Sequence, residues 1–146
     1  MVPSTKVFFK EVRAAYAGAA GSLGLTGPAE TEHVLPVSTY TGGGVNYEIS
    51  LDFRGGIVEC RASIDRESVT LIADVEDIAL AAGIVERRGN ISYSARNLKQ
   101  FSKSLQGQVD CVQRVHHLLA DSDVAEDLMR RAHAREWNKR GQRGAQ

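Results

Sequence analysis

The sequence predicts an α+β fold: one helix, then an antiparallel sheet of about four strands (31–40, 45–54, 57–65 and 69–73), then C-terminal helices packed against that sheet. Three observations carry the prediction. Val45, Tyr47, Ile49, Leu51 and Phe53 alternate with polar residues along 45–54. Gly55-Gly56 follows at once and leads into a second alternating run, Val58, Cys60, Ala62 and Ile64. Further on, Leu98, Phe101, Leu105, Val109, Val112, Val115 and Leu119 recur at threes and fours, the spacing of one helix face.

The first helix is marked by Ser4 as a cap and by Phe8, Phe9, Val12, Ala15, Tyr16 and Ala19 at helical spacing, with Gly21 as its expected stop. Residues 24–28 read as a loop. Val34, Leu35 and Val37 favour a strand, and Pro36 places it at a sheet edge, because proline has no ladder donor. Gly42, Gly43 and Gly44 make the next turn.

A two-residue Gly55-Gly56 loop fixes a register for the central hairpin. It pairs Arg54 with Ile57, Phe53 with Val58, Leu51 with Cys60, Ile49 with Ala62 and Tyr47 with Ile64. Apolar then meets apolar throughout. On the other face Ser50 meets Arg61, Glu48 meets Ser63, and Asp52 meets Glu59 with mild repulsion.

Val69 to Ala73 reads as the fourth strand. Asp74 caps a short helix with Glu76 and Asp77 in its first turn, and Gly83 ends it. Arg88-Gly89-Asn90 reads as a turn that would fold Ile84-Val85 onto Ile91 to Tyr93. The long helix spans about 95–120, with Gly107 inside it as the mark of a close contact or a bend. Asp123 and Glu126 then cap a last helix running through Leu128, Met129 and Ala132 to Trp137. Residues 1–137 are expected to form a single domain, with 138–146 a frayed basic tail.

Composition narrows the function classes. Leu, Ile, Val and Phe number 36 of 146 residues, enough for a core. No apolar run approaches the ~18 residues of a membrane span, and Met1 to Lys10 lacks the basic-then-apolar order of a secretory signal. The expectation is a cytoplasmic protein of bacterial type with no membrane partner, whose two cysteines, Cys60 and Cys111, are reduced and buried. Net charge is zero by cancellation. Residues 48–86 hold nine acids and three bases, and 87–114 six bases and one acid. Residues 115–127 hold four acids and no Lys or Arg, and 128–146 six bases and one acid. Blocks of this kind suit faces of opposite sign that meet a partner or each other.

No motif names a reaction. His116-His117 lacks the three or four spaced ligands of a metal site, so neither a metal nor a cofactor is expected. Gly42 to Gly44 runs into a strand rather than a helix, which is the wrong order for a phosphate loop. No GxSxG elbow is present.

What remains favours a non-enzymatic domain whose partner is another protein or a second copy of itself. Immunity proteins, antitoxins and secretion chaperones are small domains of this general build, an analogy of size and class. The polar outer face of the sheet, Glu48, Asp52, Glu59 and Arg61, is where a partner is expected to dock. A first alternative is nucleic-acid or acidic-partner binding through Arg130, Arg131, Arg135, Trp137, Lys139 and Arg140, bases beside one aromatic. A second is an enzyme with a pocket between sheet and helices.

Overall fold

A computed structural model describes residues 1–89 and 91–138. It is α+β, with an N-terminal helix, an antiparallel sheet of six strands rather than four, and C-terminal helices packed on that sheet. The strands form a meander in chain order, each paired with its neighbour in sequence.

Helix α1 spans Thr5–Leu23, and the Ser4 side chain accepts from the Val7 amide at its start. Phe8, Val12, Tyr16 and Ala19 form its buried face. The helix passes through Gly21, the expected stop, and ends at Gly24 with φ 72°. The left-handed residue is needed where the chain reverses, and burial of Leu25 sets that point, not the first glycine available.

The expected strand 31–40 is two strands. β1 is Thr26–Glu32 and β2 is Pro36–Gly42, with Glu32 opposite Pro36 and a bend at 33–35. β1 takes in residues expected to be loop. It is an edge strand, and apart from half-buried Pro28 all its residues are exposed, so it carries no hydrophobic alternation to read. Both prolines sit where a missing donor is tolerated, one on the edge and one at a strand start.

β3 (Val45–Asp52) follows β2 through a Gly43-Gly44 turn, and β4 (Ile57–Asp65) completes the central hairpin. Its register differs from the expected one by two residues. Asp52 faces Ile57, Leu51 faces Val58, Ile49 faces Cys60, Tyr47 faces Ala62 and Val45 faces Ile64. The loop is Phe53 to Gly56, closed by the Gly56 amide on the Asp52 carbonyl at 2.9 Å. The Asp52 carboxylate holds it by accepting from the Arg54 and Gly55 amides at 3.0 and 3.3 Å. Phe53 therefore leaves the sheet and is 40% exposed. Glu59 now faces Ser50, not Asp52, and Glu48 faces Arg61, which removes the expected repulsion.

β5 (Val69–Asp74) runs directly into α2 (Val75–Ala81), capped by the Asp74 side chain on the Glu76 amide. No hairpin forms between 84–85 and 91–93. Ile84 and Val85 fold back to bond the Ala79 carbonyl. Tyr93 to Ala95 instead lie along the start of β4, where β5 has left the sheet and the strand needs a partner.

Helix α3 (Leu98–Leu119) is capped by Asn97 and buries the apolar stripe read from the sequence. A Cβ added at Gly107 would lie 3.2 Å from the Ile91 side chain, so this glycine marks a close contact. Helix α4 is Ser122–Arg131, capped by Asp121, not Asp123. It stops short of Trp137. After a turn at 132–134, β6 (Arg135–Asn138) pairs antiparallel with β5. Asn138, expected to open a tail, closes β6 opposite Val69; residues 139–146 lie outside the described residues.

Tyr40, Tyr47, Ile49, Leu51, Val58, Cys60, Ala62, Ile64 and Leu71 fill the inner face of the sheet, none more than 2% exposed. α1 and α3 pack on each other and on this face. The space between sheet and helices is core. On the other face, every outward residue of β3, β4 and β5 is exposed or half-buried.

Candidate functional site

Register alone brings the candidate site together. Glu48 on β3 stands opposite Arg61 on β4, and Arg61 opposite Asp74 on β5. One row over, Ile72 on β5 stands opposite Arg135 on β6, and beyond it Thr70 stands opposite Trp137. Strand alternation puts all of these on the outer face. There all but Thr70 border a cleft of about 390 Å³, closed on one side by Asp77 of α2 and by Ala132 and His133 after α4. That is a common size for ligand or side-chain pockets. His133 has φ 60°, a left-handed conformation usually given to glycine at a helix end, and this turn sends the chain back along β5.

Two groups of residues singled out separately in the sequence meet here. Glu48 and Arg61, from the outer-face set, share the cleft with Arg135 and Trp137, from the C-terminal basic set. The others stand elsewhere. Asp52 holds its own hairpin loop. Glu59 accepts from Arg61 at 3.1 Å. On α4, Arg130 pairs with Glu136 at 2.6 Å and Glu126 at 3.2 Å. Arg131 pairs with Asp127 at 2.9 Å and donates to the Ala81 carbonyl at 3.0 Å. Lys139 and Arg140 lie outside the described residues.

Sequence reasoning missed Ile72 and Glu136, saw Asp74 and Asp77 only at the start of a short helix, and had His133 only as a neighbour of Trp137 in the C-terminal basic cluster. One signal was present. Leu71-Ile72 places an apolar residue in the polar phase of β5, where an open face has no structural need of one.

Several charges in the cleft are already satisfied. Arg61 has Glu59, Asp77 has Arg88, and Glu136 has Arg130. Among the described residues, Glu48, His133, Arg135 and the Trp137 indole make no side-chain hydrogen bond or ion pair.

Behind the cleft lies a buried polar cluster. Asp74 Oδ1 accepts from the Glu76 amide at 2.8 Å and from the Tyr93 hydroxyl at 2.7 Å. The same hydroxyl stands 2.9 Å from Glu76 Oε1, whose residue is 2% exposed. Glu76 Oε2 accepts from the Gly89 amide at 2.9 Å. A phenol has one proton, so Tyr93 serves two carboxyl groups with a single donor. Burial raises the Asp74 carboxyl above its ordinary value, opposed by these hydrogen bonds.

Elsewhere the chemistry is quiet. Burial pushes the Cys60 thiol up to about 12 and Cys111 up to about 11, so both are protonated at neutral pH. His116 is buried with Nδ1 2.7 Å from the Tyr47 hydroxyl, and His117 is exposed. Among the described residues no three His, Cys, Asp or Glu side chains are placed to hold a metal ion. No helix among them is long and apolar enough to cross a membrane. No protein-family model, no curated protein and no solved structure matches this chain.

Proposed function

We propose that this chain is a non-enzymatic binding domain, a bacterial cytoplasmic partner protein that docks another protein on the outer face of its sheet. The observation that carries the reading is that, among the described residues, the six-stranded sheet is covered by helices on one face only. The open face centres on a cleft where Trp137 is 51% exposed and Arg135 has no partner among the described residues. Tryptophan and arginine dominate the energetics of protein interfaces, and a cleft beside them gives a partner side chain somewhere to lodge. The filled interior and the two protonated thiols favour binding over catalysis. The nucleic-acid alternative has less support, because Arg130 and Arg131 are engaged by acids of their own chain.

The test is affinity purification of the tagged chain from cells that express it naturally, with native mass spectrometry for stoichiometry. The wild type is expected to bring down one protein in stoichiometric amount. The double variant Arg135→Glu, Trp137→Ala is expected to lose it roughly tenfold or more, consistent with the cost of removing interface anchors. Lys99→Glu, on the exposed face of α3, is expected to keep it. A solitary monomer, or a companion indifferent to the double variant, overturns the reading.

A further inference from the structure

The charges left unpaired in the cleft have an order, and the order describes a ligand. Among the described residues, subtracting the ion pairs that the protein makes for itself leaves Arg135, the Trp137 indole and His133 of the preceding turn on one side and Glu48 on the other. Arg135 and the Trp137 indole N–H stand on β6. Glu48 stands on β3, three strands away in the meander. Between them the floor is Ile72 on β5 and Arg61 on β4, whose charge Glu59 meets from outside the cleft. Three strand spacings of ~4.8 Å, and an offset of two residues because the row through Arg135, Ile72 and Ser63 meets β3 at Asn46, separate the two ends by about 16 Å.

We infer that the cleft takes an extended peptide segment laid across the strands, with a carboxylate at one end, an apolar side chain in the middle and a basic side chain at the other. At ~3.3 Å per extended residue, four steps span about 13 Å and the two charged side chains reach across the rest, so acid and base stand at positions one and five. Side chains one, three and five of an extended segment face the same way. The carboxylate then reaches Arg135 and the indole N–H, the third residue lies over Ile72 beside the Trp137 ring, and the base reaches Glu48. Asp77 and Glu136 do not compete for the base, because Arg88 and Arg130 hold them, and Asp74 is engaged by the Tyr93 hydroxyl and the Glu76 amide. The inference rests on the reading of the outer face as a protein-docking surface and names the chemistry of what docks there.

The test uses acetyl-Glu-Ser-Leu-Ser-Lys-amide titrated into the full-length protein, followed by two-dimensional NMR. The Trp137 indole and the amides of Ile72, Arg135 and Glu48 are expected to shift together. Arg135→Glu is expected to weaken this peptide about tenfold or more and to favour a version with lysine at both ends. Glu48→Lys is expected to favour a version with glutamate at both ends. A peptide with serine in place of leucine is expected to bind several-fold more weakly. Circular dichroism of each variant verifies that the fold is kept. No saturable shift at millimolar peptide, or charge-reversed variants that do not exchange their preferences, overturns the inference. If the purified partner is still lost on Arg135→Glu, Trp137→Ala while no peptide binds, the docking surface stands and this account of its ligand fails.

Discussion

At the scale of single residues, the Tyr93 hydroxyl links two carboxyl groups. It lies within hydrogen-bond reach of Asp74, which caps α2, and of Glu76, which is almost wholly buried. Tyr93→Phe keeps the ring and removes the hydroxyl that reaches both carboxyl groups, leaving Glu76 Oε1 with Arg88 at 3.8 Å. Leaving a buried acceptor unsatisfied costs about 1–3 kcal/mol, more when it is charged. Urea denaturation is expected to show a loss of that order with an unchanged slope. A midpoint equal to wild type would mean that other donors satisfy Glu76. Neither the pairing nor its importance is legible from the sequence, because Asp74 and Tyr93 are 19 positions apart and tyrosine at 93 reads equally well as a strand residue. The capping role of Asp74 was legible, because an N-cap is a local contact of an acid with amides two or three residues on.

At the scale of elements, the central hairpin shows which part of a strand pair is encoded locally. The alternation of 45–54 and 57–65 assigns nine residues to the core face, and eight of them are buried as read; Phe53 alone is not. The register is another matter. A two-residue and a four-residue loop differ by a shift of two, which leaves every side chain on the same face. Gly55-Gly56 is compatible with both. Asp52 selects the longer loop by accepting from two of its amides. Gly107 in α3 is the counterpart among helices. An alanine there would gain about 1 kcal/mol of helix propensity. Its Cβ would stand 3.2 and 3.3 Å from Ile91 Cγ2 and Cβ, closer than the packing allows without movement. Gly107→Ala is therefore expected to give less than that gain, or a net loss, in thermal melting. A full gain of about 1 kcal/mol would show that the 91–97 segment yields without cost.

At the scale of the whole molecule, His116 ties α3 to the sheet and makes stability depend on pH. Burial is the main cause that lowers its pKa, with His117 adding to it. The folded state therefore holds the neutral ring more strongly than the unfolded chain, whose histidine titrates near ~6.5. As pH falls through that value the unfolded state binds more protons, so stability falls. Asp74 acts in the opposite sense. Its raised pKa means that the folded state holds a proton longer, so its contribution is greatest below the ordinary carboxylate value of ~3.9 and is lost as pH rises through its folded value. Denaturation followed from pH 8 to 5 is expected to show a decline that His116→Gln flattens. An identical decline in the variant would assign it to other groups.

The sequence by itself determined the class of the fold, the inward faces of the central strands, the stripe of α3 and the cap of α2. Each of these is a pattern within some ten to twenty consecutive residues, and burial of one face enforces it whatever the rest of the chain does. Only the tertiary structure decided the two edge strands and the cleft. β1 and β6 are exposed on nearly every residue, so no hydrophobic period marks them; pairing with β2 and β5 makes them strands. The expected helix from 124 to Trp137 ends at Arg131 because the edge of β5 takes the chain beyond it as a partner. That one pairing carries Arg135 and Trp137 to the outer face beside Glu48 and Arg61. Convergence of residues nearly ninety positions apart is set by ladder hydrogen bonds between distant strands, and no local pattern encodes which strand will be the neighbour.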